Sequence, residues 1–193
     1  MLRAYKYRLY PNSEQKEYFA KTFGCSRLIY NLMLADRIKS YEENKDLDIK
    51  KIKYPTPAQY KKKYEFLKEV DSLALANEQI NLDKAYKNFF RDKSVGFPKF
   101  KSKKTNYHSY TTNNQKGTVY IKNGYIKLPK LKSMVRIKQH RQIEGTIKSC
   151  TISKTPSNRY YISILAETEI EKLEPIEKKI GIKVGLKEFA ICS

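Results

Sequence analysis

Apolar positions in the first half of the chain recur at helical spacing, and in the second half they alternate. The change falls at Gly96–Lys104. Leu2 to Tyr10 opens as a strand, with Tyr5, Tyr7 and Leu9 on one face and Lys6 and Arg8 on the other. Pro11-Asn12 ends it, and Asn12 with Gln15 fits a capping box. Tyr18, Phe19, Thr22 and Phe23 predict a helix that stops at Gly24. A second helix is expected over Ser26 to Glu43, burying Leu28, Ile29, Leu32, Met33 and Ile38 and leaving Arg27, Arg37 and Lys39 in water. Residues 44–53 are charged and read as a loop. Thr56-Pro57 begins a third helix, which carries Tyr60-Lys61-Lys62-Lys63-Tyr64. Asp71 or Ser72 caps a fourth, with a stripe of Leu75, Gln79, Leu82, Tyr86 and Phe89 that Ile80 and Ala85 broaden. Beyond the switch, Lys122-Asn123-Gly124 joins two alternating runs, a strong hairpin signal. Val135–Lys138, Ile147–Thr155 and Tyr160–Glu169 are further strands. Residues 173–179 read as a linker, and Ile180–Ser193 as an apolar strand, a turn near Gly185 and the start of another strand. The class is therefore α+β.

Charge changes the picture. The 193 residues carry 40 Lys+Arg against 20 Asp+Glu, a formal net charge of +20. Small domains ordinarily carry a net charge of magnitude about 2–8, and an excess this large is offset by binding a polyanion. Hydrophobic residues are 40% and aromatics 12%, including 16 Tyr, so the chain is a folded one and not a basic tail. Nucleic acid is the leading partner. A membrane is disfavoured because no run approaches the roughly 18 apolar residues of a spanning helix. The N-terminus lacks the apolar core of a signal peptide. The three Cys (25, 150, 192) are scattered and lack CxxC spacing. That points to reduced thiols in a cytoplasm, with neither a disulfide scaffold nor a zinc site. His108 and His140 are isolated, which suits a surface or nucleic-acid-facing role better than metal ligation.

Lysines and rings interleave at the switch. Lys99, Lys101, Lys103 and Lys104 can neutralise phosphates, as can Arg27 and the face Lys61, Lys62 and Lys63. Tyr10, Phe100, Tyr107 and Tyr110 are candidates for base or sugar contacts. Phe97 and Phe100 have the alternative of plugging into the core, and the Lys61–Lys63 face that of simple solvation. Tyr30 and Asn31 read better as core and cap groups. The first turn after Asp71 holds the short side chains Ser72, Leu73, Ala76 and Asn77, where the helix dipole favours phosphate and the backbone can approach a groove.

The blocks Arg8–Asn12, Gly24–Asn31, Asn81–Phe90, Gly96–Lys101, Ser109–Thr112, Leu128–Leu131, Ile143–Gly145 and Ile182–Ala190 together resemble TnpB, the transposon-encoded RNA-guided nuclease family. The resemblance runs in order along nearly the whole chain. It implies a β-barrel wedge domain made of residues 1–10 and 96–172, with a helical recognition domain (11–95) inserted. A linker and the first hairpin of a RuvC-like domain (173–193) would follow. It implies a guide RNA and double-stranded target DNA as partners, and a cytoplasmic, nucleoid-associated protein in a bacterium. Guide pairing selects the target, while the protein reads a short adjacent motif. Block alignment places motif contacts on Tyr54, Ser72, Leu73, Ala76, Asn77 and Gln115. The family's first RuvC strand carries an Asp that ligates catalytic magnesium, and here that position is Lys183. An ammonium donates hydrogen bonds and does not ligate Mg²⁺ while protonated. The expectation is a protein with no catalytic metal, no zinc and no nuclease activity, like the nuclease-dead TnpB-like repressors (TldR). The alternative is the N-terminal part of a formerly active RNA-guided endonuclease.

Overall fold

A computed structural model describes residues 1–44, 52–105, 108–169, and the backbone of 182–183 and 191–192. Its larger sheet has seven strands: β1 (Leu2–Tyr10), β2 (His108–Asn113), β3 (Tyr120–Lys122), β4 (Tyr125–Lys127), β5 (Val135–Lys138), β6 (Thr146–Lys154) and β7 (Tyr160–Glu167). The order is β2-β6-β7-β1-β5-β4-β3, and every paired neighbour is antiparallel. The first strand of the chain therefore sits mid-sheet, bonded to β7 on one side and β5 on the other. The sheet curls into half a barrel with β2 and β3 as its edges. Among the described residues, three α-helices lie between β1 and β2 in sequence: α1 (Ser13–Glu43), α2 (Pro57–Lys63) and α3 (Ser72–Arg91).

Local chemistry explains most of these elements. Asn12 caps α1 with both arms of the capping box, and Thr56 and Gln59 do the same for α2, with Pro57 in its first turn. Asp71 caps α3 by accepting from the Leu73 amide at 3.1 Å. Asn123 and Gly124 take φ of 51° and 75°, the left-handed pair that a two-residue hairpin needs. At Gly145 the backbone runs so close to β7 that an added Cβ would meet the Glu167 carbonyl oxygen at 2.0 Å.

Three expectations are corrected. Gly24 does not stop a helix, because α1 is one 31-residue helix. Gly24 is absent from the left-handed residues, and the burial of Phe23, Cys25, Ser26 and Ile29 around it outweighs a propensity cost of about 1 kcal/mol. Arg37 is not in water. It pairs with Asp83 of α3 and lies 5.2 Å from the Tyr54 ring centroid and 5.3 Å from that of Tyr86. Ile80 is exposed, since α3 turns Leu75, Glu78 and Leu82 inward instead. Residues 180–193 include a two-residue ladder of their own, β8 (Ile182–Lys183) with β9 (Ile191–Cys192), separate from the large sheet. The linker at 173–179 and most of the 44–53 loop lie outside the described residues.

Two cores result. One lies on the concave side of the sheet. Tyr5, Tyr7 and Leu9 of β1 meet Ile162 and Ile164 of β7, and Phe19 and Phe23 of α1 cover them. The other lies among the helices, built from Ile29, Met33 and Leu34 of α1 with Tyr60, Leu67, Val70, Leu75 and Leu82.

Candidate nucleic-acid interface

The switch segment is held by one lysine. The Lys101 backbone N–H donates to Asn31 Oδ1 at 2.8 Å, and Asn31 Nδ2 donates to the Lys101 carbonyl at 2.9 Å. Lys101 Nζ donates to Glu78 Oε2 at 2.6 Å and lies 4.2 Å from the Tyr30 ring centroid. Glu78 is 2% exposed, so its charge requires this partner. Lys101 thus pins the segment to α1 and α3, and is not a free phosphate-neutralising cation as the sequence suggested. Asn31 is a clamp across 70 residues, and Tyr30 a core ring.

Beside this clamp is a cavity of about 310 Å³ lined by Phe23, Ser26, Arg27, Phe100, Ser102, His108 and Ser109, among others. Phe100 is 56% exposed and free of the core, while Phe97 packs edge-on against Tyr86 and Phe89. Phe23 and His108 stack at 5.9 Å. Ser26 Oγ is buried and has no hydrogen-bond partner among the described residues. The His108 imidazole titrates below its ordinary range. Burial is the main cause, followed by the positive charges of Arg27, Lys154 and Lys103. Three cations therefore surround one neutral ring, and the carboxylate lining the cavity is already held by Lys101. An anion is the ligand such a field favours.

The other sequence candidates separate. Lys99, Lys103 and Lys104 are exposed, as the phosphate reading needs. Lys61 Nζ donates to Ser72 Oγ at 2.6 Å, bringing a backbone candidate against a motif candidate. Lys62 is exposed, and Lys63 lies over the Tyr64 ring. On α3, Ser72 and Ala76 are exposed and Leu73 is half-buried. Asn77 spends its amide donors on the Leu73 and Thr111 carbonyls, fixing α3 to β2. Tyr54 is half-buried against Arg37, and Gln115 is exposed in the β2–β3 loop. Tyr110 is a correction: it is 3% exposed, its ring set between Phe19 and Phe23, so it cannot stack on a base. Tyr10 is 42% exposed on the convex side of the sheet. Tyr107 and the Lys183 side chain lie outside what the structure describes. Glu78, Ser26 and Lys154 were missed. Only Glu78 had a legible signal, as an acid at a core position between Leu75 and Leu82.

Among the described residues, no helix is long and apolar enough to cross a membrane, and no three His, Cys, Asp or Glu group to hold a metal.

Comparison with known proteins adds three kinds of similarity. A family model described as a helix-turn-helix domain of IS605 OrfB matches residues 1–46, although residues 13–43 form a single helix here. A Streptomyces pristinaespiralis protein named as an RNA-guided DNA endonuclease is 30% identical over 197 residues, covering 99% of this chain and 48% of that protein. The RNA-guided DNA endonuclease InsQ of Escherichia coli K12 is 31% identical over 199 residues, covering 100% and 47%. The virulence protein VsdF of Salmonella dublin is 39% identical over 113 residues, covering 53% of this chain and 95% of VsdF. The chain spans about half the length of the two endonuclease relatives.

Proposed function

We propose that this chain belongs to the TnpB/IS605 OrfB family, whose model and RNA-guided endonuclease relatives it matches, and that it is an RNA-guided DNA-binding protein that occupies its target without cutting it, and so represses transcription. Residues 11–95 act as an inserted recognition domain, and β8 and β9 belong to the start of a RuvC-like domain. The observation that carries the non-cleaving reading is Lys183, which lies in β8 and which the family resemblance aligns with a metal-binding Asp. An ammonium lacks a lone pair while protonated, so this residue does not fit Mg²⁺, and its charge repels the cation.

Binding divides between two places. The first turn of α3 presents Ser72 and Ala76 to the adjacent motif, with Leu73 and Asn77 beside them, and Tyr54 and Gln115 are the further motif contacts that the resemblance implies. The cavity flanked by Arg27, His108 and Phe100, together with Lys99, Lys103 and Lys104, takes phosphates of the guide or target. Phosphate contacts fix register while base pairing supplies sequence. Without guide, affinity is weak and falls steeply with salt.

Sequencing the RNA that copurifies with the protein tests this. One dominant transcript ending in a variable guide is expected, and a broad mixture of transcripts would point to a general RNA binder. A second reading, part of an RNA-guided endonuclease, is favoured by the relatives' names and by the half-length match. Breaks in guide-matched DNA incubated with the ribonucleoprotein and Mg²⁺ would establish it.

A further inference from the structure

The C-terminal end of α3 carries rings that neither core takes in. Phe90 is 73% exposed, Val95 55% and Phe97 44%, and Phe89, Phe90 and Phe97 belong to neither core. They form a cluster of their own. Phe90 stacks on Tyr86 with centroids 6.3 Å apart and meets Phe89 at 5.3 Å. Phe97 stands edge-on to Tyr86 and Phe89, at 5.6 and 5.4 Å. Phe90 and Phe97 thus share a floor of Tyr86 and Phe89 with a notch between them. Asp92 fixes the intervening turn by accepting from the Ser94 amide at 3.0 Å and its hydroxyl at 2.7 Å. One exposed apolar residue is ordinary, but three around one turn mark a contact surface.

Charge says what kind of partner this surface fits. Lys87 lies one turn before Phe90, Arg91 directly after it, and Lys99 two residues after Phe97, and all three are exposed. None has an acidic partner among the described residues. The nearby carboxylates are taken, Asp83 by Arg37 and Asp92 by Ser94. An apolar centre with an unpaired cationic rim complements apolar anchors rimmed by carboxylates. An amphipathic helix has that layout, with its anchors on one face at i, i+3 and i+4. Nucleic acid fits less well. Stacking needs an open ring face, and here Phe90 has one face on Tyr86 while Phe97 is packed against two rings. The Ser94 hydroxyl is spent on Asp92, whose carboxylate repels phosphate. A second copy of this chain would set the same unpaired cations against one another.

We propose that the Phe90–Val95–Phe97 patch docks an acidic amphipathic helix of a partner protein. A large apolar side chain of that helix fills the notch between Phe90 and Phe97, a second covers Val95, and its carboxylates meet Lys87, Arg91 and Lys99. Phe90 lies about 18 Å along α3 from Glu78 at the helical rise, so the partner and the nucleic acid are held at separate places. Docking here does not depend on the guided function.

The test is fluorescence anisotropy of the purified chain with a labelled helical peptide of about 16 residues, leucines on one face and glutamates elsewhere. Two control peptides replace the leucines by serine or the glutamates by lysine, and both are expected to bind at least about tenfold more weakly. Phe90→Ala/Phe97→Ala is expected to weaken the glutamate–leucine peptide about tenfold or more, and Lys87→Ala/Arg91→Ala to weaken it about threefold and flatten its salt dependence. Phe97 packs on Tyr86, so Phe90→Ser alone, at the more exposed ring, keeps the result independent of folding, with the urea midpoint as its control. The affinity of this variant for a uridine RNA should be unchanged. Equal binding of the serine peptide, or unchanged peptide affinity in Phe90→Ser, would overturn the proposal. So would a loss of RNA affinity in that variant, which would make the occupant nucleic acid, or a wild-type dimer in sedimentation that the variant abolishes, which would make it a second copy.

Discussion

The two cores share α1 and are made differently. The sheet core is almost wholly apolar and aromatic, with Phe19 packed against Tyr110 and Tyr160. The helical core carries charge at its margins: Arg37 with Asp83, Asp36 with the Tyr60 hydroxyl, and Glu78 with Lys101. Its Tyr60 phenol is pushed far above its ordinary pKa, first by burial and then by Asp36. Apolar packing is tolerant of sequence and specifies little beyond volume. Charged pairs need one geometry, and each here ties helices to one another or to the switch segment. The sheet core therefore sets stability, while the helical core sets where the basic segment lies.

That contrast can be broken at four points. Phe19→Ala strikes the sheet core and should cost about 3–5 kcal/mol, measured by urea denaturation. Because α1 spans both cores, the variant should still unfold in a single transition, and two transitions would show that the cores are independent. Lys101→Ala leaves Glu78 buried without its cation and should cost about 1–3 kcal/mol, less than a fully buried pair because Lys101 is partly exposed. It should also weaken nucleic-acid binding more than Lys104→Ala, since the whole segment is released, and equal losses would make Lys101 an ordinary surface cation. Gly24→Ala, at the seam of the two cores, should stabilise by about 0.4–1 kcal/mol, because nothing lies within 4 Å of the added methyl. A loss of stability there would mean that α1 needs to bend at the seam.

The smallest effect is on pH. His108 has a folded pKa below its unfolded value near 6.5, so the unfolded chain binds the proton more readily. Its contribution to stability is therefore complete above about pH 6.5 and is lost as pH falls toward the folded pKa. A phosphate in the cavity reverses the preference, so nucleic-acid affinity should rise modestly between pH 7.5 and 6. His108→Gln should abolish both trends, and an unchanged pH profile would place the phosphate elsewhere.

The strands were legible because they are set by period-two alternation and by turn residues whose chemistry is local. Asn123-Gly124 and the Asn12–Gln15 box are cases in which neighbours in sequence are neighbours in space. Their partners were not legible. Nothing in Leu2–Tyr10 says that it lies between β7 and β5. The same limit explains the errors. Gly24 looks like a stop unless the packing on either side of it is known. Arg37 looks wet until Asp83, 46 residues on, is brought to it, and Tyr110 looks available until α1 covers it. At the candidate site, charge marked the basic segment, but not the one lysine in it that is structural.

The function proposed above is guided occupancy without cutting, and Lys183 carries the second half of that proposal. The most direct measurement is a footprint of the ribonucleoprotein on guide-matched duplex DNA in Mg²⁺, resolved on a sequencing gel with and without RNase. Protection of the matched segment and its adjacent motif, with no new strand ends and with loss of protection after RNase, is the predicted result. New ends within the protected segment, or protection that survives RNase, would contradict it.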